Sequence, residues 1–155
     1  MNRLRKIHES DLKEMARWDL SDADLRYWAG LSSGKENLSL KIASWLQESY
    51  VIAFAYESNG MLVGYGELWK DDHEIEIARL LINPKFRRHG FGRDLTKALL
   101  EEAKQMNQNI YLRVHPENFA ALSLYSQSGF KLEDEIQQRV FNSNQPVQYT
   151  WMRAE

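Results

Sequence analysis

A pair of glycines flanked by arginines, at positions 87–93, has the composition of a phosphate-binding turn. Glycine lets a backbone turn tightly with its N–H groups on one side. A helix beginning here would add its unpaired amides and the positive end of its dipole. The arginine side chains and Lys85 would bring further positive charge to the same place. The segment predicts an anionic ligand, and a pyrophosphate-bearing cofactor is the best candidate.

The sequence around this turn predicts a strand before it, a helix after it and then a second strand. An apolar run ends at Asn83-Pro84, and apolar residues then recur at helical spacing from position 91 to 106. Residues 109–114 form the next apolar strand. Because such crossovers return to the same sheet, we expect this strand to lie parallel to the one at 74–82. A second helix is expected to open at 116–118 and to end at Gly129 in a left-handed conformation.

The rest of the chain predicts antiparallel pairs and two more helices. Asn59-Gly60 joins β-rich runs at 51–57 and 62–69, which is a strong hairpin signal. Further expectations are a strand at 4–7, a helix at 10–20 capped by Ser10 or Asp11, a polar connection, a helix at 38–47, and a closing hairpin from 132–140 and 147–152. The sequence thus predicts an α/β domain with a mixed, largely antiparallel sheet flanked by helices.

Composition narrows the class of protein. The chain has 155 residues, 43% of them hydrophobic, which predicts one domain over 1–155. Its net charge of −2 makes the basic cluster a local feature, so no nucleic-acid partner is expected. No cysteine, apolar leader or membrane-spanning run is present, which predicts a cytoplasmic protein without a membrane partner. His73 and Glu74 lack a second ligand pair, so no metal is expected.

A second motif follows the glycine turn one crossover later. Residues 118–130 contain Asn-x-x-Ala-x-x-Leu-Tyr-x-x-x-Gly-Phe, and residues 87–92 contain Arg-x-x-Gly-x-Gly. In this order and spacing the two motifs resemble the acetyl-CoA-dependent N-acetyltransferases of the GNAT superfamily. The resemblance covers residues 1–152. It implies the GNAT acyl-CoA N-acyltransferase fold, in which strands 4 and 5 are parallel and part to admit the cofactor.

The resemblance also implies a role for individual residues, with acetyl-CoA as cosubstrate. Tyr125 would protonate the departing thiolate, and Glu76 occupies a position often used as general base. Leu81 and Ile82 would pair their backbone amides with the pantetheine and the thioester oxygen, and Asn118 would steady the pantetheine. The pyrophosphate would be held by the turn and its flanking residues: Arg87, Arg88, His89, Gly90, Phe91, Gly92 and Arg93.

The chemistry of these groups supports such roles. An alkylamine has a pKa of about 10 and attacks a thioester only as the free base. A carboxylate, His115 or a polarised water must therefore take its proton. The departing thiolate, whose thiol has a pKa of about 8.5, can be protonated by a phenol with a pKa of about 10. Since no cysteine is available as a nucleophile, we expect direct attack by a primary amine in a ternary complex.

Other functions fit parts of the sequence. A non-catalytic acyl-CoA-binding sensor or interaction module would need the glycine turn at 87–93 but neither Glu76 nor Tyr125. A dinucleotide fingerprint would need a third glycine where Leu95 stands. A hydrolase elbow at 30–34 would need a buried strand before it, which residues 25–29 do not provide.

The acceptor is expected to contact residues 18–36. This segment combines acidic and aromatic side chains that would suit a cationic amine: Asp19, Asp22, Asp24, Tyr27 and Trp28. A polyamine, an aminoglycoside and a peptide N-terminus all stay open as acceptors. An edge strand near the C-terminus would allow a homodimer.

Overall fold

A seven-stranded sheet organises the chain in the computed structural model, which describes residues 1–30 and 38–155. In chain order the strands are β1 (Asn2–Lys6), β2 (Val51–Ser58), β3 (Met61–Lys70), β4 (Glu74–Ile82), β5 (Asn109–Val114), β6 (Phe130–Leu132) and β7 (Thr150–Ala154). Across the sheet the order is β1-β2-β3-β4-β5-β7-β6. The hairpin between β2 and β3 turns at Asn59 and Gly60, both with positive φ, as the sequence predicts.

Only β4 and β5 run parallel, and they pair over a short distance. The three pairs are Glu74 with Asn109, Ile75 with Ile110, and Glu76 with Tyr111. Beyond Glu76 the two strands have no register partners, although β4 continues for six more residues to Ile82. Every other neighbouring pair is antiparallel. The mixed sheet with parallel strands 4 and 5 is therefore confirmed, and the separation of these strands opens a cleft.

Helices cover both faces of the sheet. They are α1 (Glu9–Met15), α2 (Asp22–Ala29), α3 (Leu38–Trp45), α4 (Phe91–Lys104), α5 (Phe119–Ser126) and α6 (Glu135–Asn142). Apolar residues of α4 and α5 pack on one face against Ile75 and Ile77 of β4. Apolar residues of α1, α2 and α3 pack on the other face, where Tyr65 and Leu81 are buried. Among the described helices, none is long and apolar enough to cross a membrane.

Two glycines of β3 let α4 lie close to the sheet. A Cβ added at Gly66 would lie 2.6 Å from Leu99 Cδ1 of α4, and one at Gly64 would lie 3.3 Å from Leu95 Cδ2 of α4 and 2.9 Å from Ile82 Cδ1 of β4. A side chain at either position would force these neighbours to shift, so glycine favours the close approach of α4 to the sheet. This close packing holds the N-terminus of α4 beside the end of β4.

A β-bulge interrupts the pairing of β3 with β4. Tyr65 pairs with Leu81 while Glu67 pairs with Ala78, so one extra residue lies on β4. Arg79, at this point, has a φ of 49°, which is uncommon for a residue with a side chain. The indole nitrogen of Trp28 donates a hydrogen bond of 2.8 Å to the Arg79 carbonyl and so holds the bulge in place.

Three local expectations from the sequence are wrong. Residues 132–140 do not form a strand: β6 ends at Leu132, and α6 begins where Asp134 caps the amide of Gln137 at 2.8 Å. The connection after residue 20 contains α2, whose start is fixed by a capping box between Ser21 and Asp24. The first helix begins at Glu9 and ends at Met15, earlier at both ends than expected. At the starts of α2 and α6, side-chain caps decide the boundary.

Candidate active site

The cleft between β4 and β5 forms a cavity of about 730 Å³. Its walls come from β4, the turn before α4, the end of β5, α5 and α2. Ten of the twelve residues predicted for the site line this cavity: Glu76, Leu81, Ile82, Arg87, Arg88, Gly90, Phe91, Gly92, Asn118 and Tyr125. His89 and Arg93 are not among the lining residues. The His89 ring lies 6.1 Å from that of Phe91, and Arg93 Nη2 donates to Gln127 Oε1 at 2.8 Å.

The turn between β4 and α4 has the backbone conformation of an anion-binding turn and lines the cavity. Arg88 and Gly90 have φ values of 66° and 81°, on either side of His89. Positive φ values between ordinary ones bring neighbouring N–H groups to one side, which makes a concave anion site. Gly90 caps α4 without a side-chain hydrogen bond, so the first amides of the helix have no side-chain partner.

Gly92 is a glycine that the protein's own packing does not require. A Cβ at this position would meet Leu124 at 3.5 Å, an ordinary contact, and its φ is not in the left-handed region. A methyl group here would instead project from the first turn of α4 beside the cavity. Close approach of a ligand to the backbone is a physical reason for glycine at this position.

The register of β3 and β4 shows which amide of β4 faces the cleft. The Asn83 amide donates to the Val63 carbonyl at 2.9 Å, so these residues form a hydrogen-bonded pair. Hydrogen-bonded and non-hydrogen-bonded pairs alternate in antiparallel strands. Ile82, opposite Gly64, therefore directs its N–H away from β3 and into the cleft, whereas Leu81, opposite Tyr65, directs its own toward β3. Of the two predicted amides, Ile82 is the one available to a ligand.

Two residues of α5 and its cap reach the same cavity. Asn118 caps α5 by accepting a hydrogen bond of 3.3 Å from the Ala121 amide. Tyr125 packs its ring against Phe130, with centroids 6.1 Å apart. Burial raises the pKa of the Tyr125 phenol to about 12. Its hydroxyl has no hydrogen-bond partner among the described residues, so it is available to a group in the cavity.

Glu76 is held by an arginine that the sequence did not predict for the site. Arg113 donates to both carboxylate oxygens of Glu76, at 2.7 Å from Nε and 2.8 Å from Nη2. Its third donor, Nη1, binds Gln145 at 2.9 Å. Burial raises the pKa of Glu76 above its ordinary value, although the hydrogen bonds and charge of Arg113 oppose the shift. An ionised carboxylate has about four acceptor sites, so each oxygen can still accept another proton donor.

His115 also lines the cavity, and its Nδ1 is already engaged. The Glu117 amide donates to this atom at 3.2 Å, and the Tyr27 ring lies 5.0 Å away. A neutral imidazole that accepts at Nδ1 carries its proton on Nε2. His115 therefore offers the cavity a donor, which disfavours it as a base.

The family of the chain follows from comparison with known proteins. The model of the acetyltransferase (GNAT) family matches residues 6–130, a span that includes the cleft and both sequence motifs. The chain belongs to the GNAT family. A curated relative, the N-alpha-acetyltransferase RimI of Mycobacterium tuberculosis, is 35% identical over 78 residues, 48% of each protein. The chain spans 36% to 57% of the length of three curated relatives that it matches.

Solved GNAT structures have the same fold. The structure of AAC(6')-Ib in complex with paromomycin and acetyl-CoA has a TM-score of 0.79 and 19% identity, over 99% of this chain and 92% of that one. Spermidine N-acetyltransferase from Vibrio cholerae, in complex with CoA and spermine, has a TM-score of 0.73 and 21% identity, over 98% and 92%. At such identities the likeness establishes the fold.

In this GNAT chain, α2 connects both sides of the cleft. Asp24 forms an ion pair with Arg87 of the turn, with Oδ1 and Nη2 3.0 Å apart, and Tyr27 contacts His115 beyond β5. Burial alone would raise the pKa of Asp24, but the Ser21 amide and the Arg87 guanidinium lower it. Of the three aspartates predicted to meet an acceptor, only Asp24 lines the cavity. Residues 31–36 of the expected acceptor segment, with most of the possible hydrolase elbow, lie outside the described residues.

A buried polar network beside the GNAT cleft was also missed by sequence reasoning. Glu67 has no exposed surface and accepts hydrogen bonds from Tyr65, from Trp69 Nε1 at 2.7 Å and from Arg79 Nη1 at 3.0 Å. Its only sequence signal was a charged residue inside an otherwise apolar strand, and the same holds for Arg79 and Arg113. Within the described part of the chain, no group of three or more acidic or histidine side chains could hold a metal ion.

Proposed function

We propose that this GNAT-family chain transfers the acetyl group of acetyl-CoA to a primary amine by direct attack in a ternary complex. One observation carries the proposal. The cavity between β4 and β5 is lined by a glycine turn at a helix start, by Ile82 with its outward amide, by the largely buried carboxylate of Glu76, and by Tyr125, whose phenol has no hydrogen-bond partner among the described residues. These four groups together would suit an anionic thioester and an amine.

The residues present fit acetyl-CoA along the length of the cleft. Amides of the turn and of the first turn of α4, with Arg87 and Arg88, would hold the pyrophosphate. Gly92 would let the phosphate approach the backbone. Ile82 would donate its amide to the pantetheine arm or the thioester oxygen, and Leu81 would form part of the wall. Asn118 would position the pantetheine from the start of α5.

The reaction forms one bond and breaks one. The amine nitrogen attacks the thioester carbon, the C–N bond forms, and the C–S bond breaks with its electron pair leaving on sulfur. The proton lost by the amine passes to Glu76, directly or through a water that Glu76 polarises. The Ile82 amide would stabilise the negative charge that develops on the carbonyl oxygen. Tyr125 would meet the departing thiolate with its phenolic O–H.

We favour Glu76 over His115 as the base for three reasons. The raised pKa of Glu76 makes its carboxylate a better proton acceptor than an ordinary glutamate. His115 already uses Nδ1 to accept the Glu117 amide. The bidentate contact with Arg113 fixes the Glu76 carboxylate in one orientation, which is the positioning that proton transfer requires.

The proposed acceptors are a small-molecule amine or the N-terminus of a protein. The solved structures hold an aminoglycoside and a polyamine, and the curated relative is an N-alpha-acetyltransferase. All of these proteins act on or bind compounds with primary amines, which supports a shared reaction class.

Cofactor binding can be tested by thermal unfolding. CoA at about 100 times its dissociation constant should stabilise the fold by roughly 2.7 kcal/mol. At about 2–4 °C per kcal/mol this raises the melting temperature by roughly 5–10 °C. NAD at the same concentration should have no comparable effect. A shift with NAD but not with CoA would contradict the proposal and favour a dinucleotide site.

Gly92→Ala supplies the matched variant for this experiment. The added methyl group meets Leu124 at 3.5 Å and Ile82 at 3.9 Å, both ordinary contact distances, so unfolding without CoA should be unchanged or slightly higher in temperature. The shift caused by CoA should shrink because the methyl group occupies the approach to the backbone. An undiminished CoA shift in this variant would show that the ligand does not approach the first turn of α4.

A further inference from the structure

Arg79 is held beside the cleft in a strained conformation by several independent contacts. Its positive φ at the β-bulge is fixed by the hydrogen bond from Trp28 to its carbonyl. Its guanidinium carbon lies 3.8 Å from the ring centroid of Trp45 and 4.8 Å from that of Trp69. Strained residues that are fixed in this way occur most often at functional sites.

Among the described residues, only one edge of the Arg79 guanidinium has a hydrogen-bond partner. Nη1 donates to Glu67, whose carboxylate also accepts from Tyr65 and Trp69. Nε and Nη2 of Arg79 donate to no described residue. The side chain lines the cavity and is 17% exposed, which would bring this second edge within reach of a ligand in the cleft. Two parallel N–H groups of a guanidinium match the two oxygens of a carboxylate.

The charges of the cavity favour an anion over a second cation in the acceptor. Both described acidic residues of the lining are already paired, Asp24 with Arg87 and Glu76 with Arg113. A polyamine would therefore find no unpaired carboxylate among the described lining residues. A substrate carboxylate would find the free edge of Arg79, on the same strand as Glu76 and three residues further along it.

Building on the transferase function proposed above, we propose that the acceptor is a primary amine that also carries a carboxylate, and that Arg79 binds this carboxylate. The amine would then be directed toward Glu76, while the rings of Trp45 and Trp69 keep the guanidinium in place. Arg79 is in this account a determinant of acceptor specificity and takes no part in proton transfer.

The experiment measures kcat/KM for matched pairs of acceptors, read as amine-dependent release of free thiol from acetyl-CoA. Each α- or ω-amino acid is compared with its own amide, which retains the amine and loses the negative charge. Spermidine and paromomycin serve as cationic comparisons. The carboxylate member should be preferred by about 10- to 150-fold, the range for a hydrogen bond to a charged group. The preference should appear mainly in KM.

Arg79→Lys tests the free edge of the guanidinium, because lysine keeps the positive charge but lacks the two parallel N–H groups. The preference for the carboxylate should fall to about threefold or less, because kcat/KM should fall much more for the carboxylate member of each pair than for its amide. Arg26→Gln is the control: it removes a positive charge from the cavity lining that has no ion-pair partner among the described residues. It should change the preference by about twofold at most. The melting shift caused by CoA verifies that each variant keeps its cofactor site.

The outcomes separate this inference from the function on which it rests. Faster acetylation of the amides, or of spermidine and paromomycin, by the wild-type protein would overturn the role of Arg79 and leave acetyl transfer in place. An equal loss of preference in Arg26→Gln would overturn the proposed contact between the carboxylate and the two N–H groups of Arg79, and would indicate a general effect of charge. Absence of thiol release with every amine, despite binding of CoA, would overturn the transferase proposal itself.

Discussion

Replacing Tyr125 by phenylalanine should separate its chemical role from its packing role. The ring lies in the core between α5 and the sheet, and its hydroxyl has no hydrogen-bond partner among the described residues. Removal of the oxygen therefore breaks no described hydrogen bond and leaves the ring contact with Phe130 in place. The melting temperature should stay within about 2 °C of the wild-type value, since changes without a lost contact are usually within about 0.5 kcal/mol.

The expected loss of activity follows from the raised pKa of this phenol. A phenol with a pKa of about 12 and a thiol with a pKa of about 8.5 differ by about 3.5 pKa units, or roughly 4.8 kcal/mol against complete proton transfer. Tyr125 should therefore stabilise the departing thiolate by donating a hydrogen bond. Such bonds to charged groups contribute about 1.5–3 kcal/mol. Loss of this bond should lower kcat by roughly 10- to 150-fold.

The assay is steady-state release of thiol from acetyl-CoA at saturating amine. Tyr111→Phe is the control, because Tyr111 is also buried but packs against Phe141 and does not line the cavity. That variant should keep kcat within about twofold. Since the phenol of Tyr125 titrates near 12, no limb of the pH profile below about pH 11 should belong to it. A kcat within about twofold of the wild-type value in Tyr125→Phe would refute a role for this hydroxyl.

Two further predictions concern the charged pairs of the cleft. Glu76→Gln should abolish the acidic limb of the profile of kcat/KM against pH, and activity should recover as the pH nears the pKa of the amine. In the wild-type protein this limb should lie above the ordinary glutamate pKa, because burial raises the pKa of Glu76. An unchanged profile would assign proton removal to water or His115. Asp24→Asn should tighten CoA binding by up to about fivefold, because it frees the half-exposed Arg87 for the pyrophosphate and removes an ion pair that contributes about 0.2–1 kcal/mol. Weaker CoA binding in calorimetry would show instead that Asp24 positions Arg87.

Much of the frame around the site follows from local sequence. The strands at 74–82 and 109–114 have the predicted bounds because segments rich in β-branched and other apolar residues end there at clear turn signals. The Asn59-Gly60 hairpin and the start of α4 follow from residues that must adopt positive φ. The lining of the cavity by Tyr125, Asn118 and the glycine turn followed from the two motifs, whose spacing fixes one crossover between them.

The remaining features depend on contacts between distant residues or on caps. Arg113 meets Glu76 only because β4 and β5 pair in parallel with Glu76 opposite Tyr111, a register that no local pattern specifies. The bulge at Arg79 needs Trp28 of another element to hold it. The helices α2 and α6 were missed because both are short, eight-residue elements, although Ser21 and Asp134 are recognisable N-caps. Local hydrophobic periodicity contains none of this information.

The proposed acetyl transfer to an amine in the cleft between β4 and β5 can be tested directly. The protein is incubated with acetyl-CoA and a panel of primary amines, and free thiol and acetylated amine are measured together. We expect equal amounts of both products, formed only when an amine is present, and a lower rate of formation of both in Tyr125→Phe. Binding of CoA with no acetylated amine in any reaction, or thiol release that does not depend on the amine, would contradict the proposed transfer.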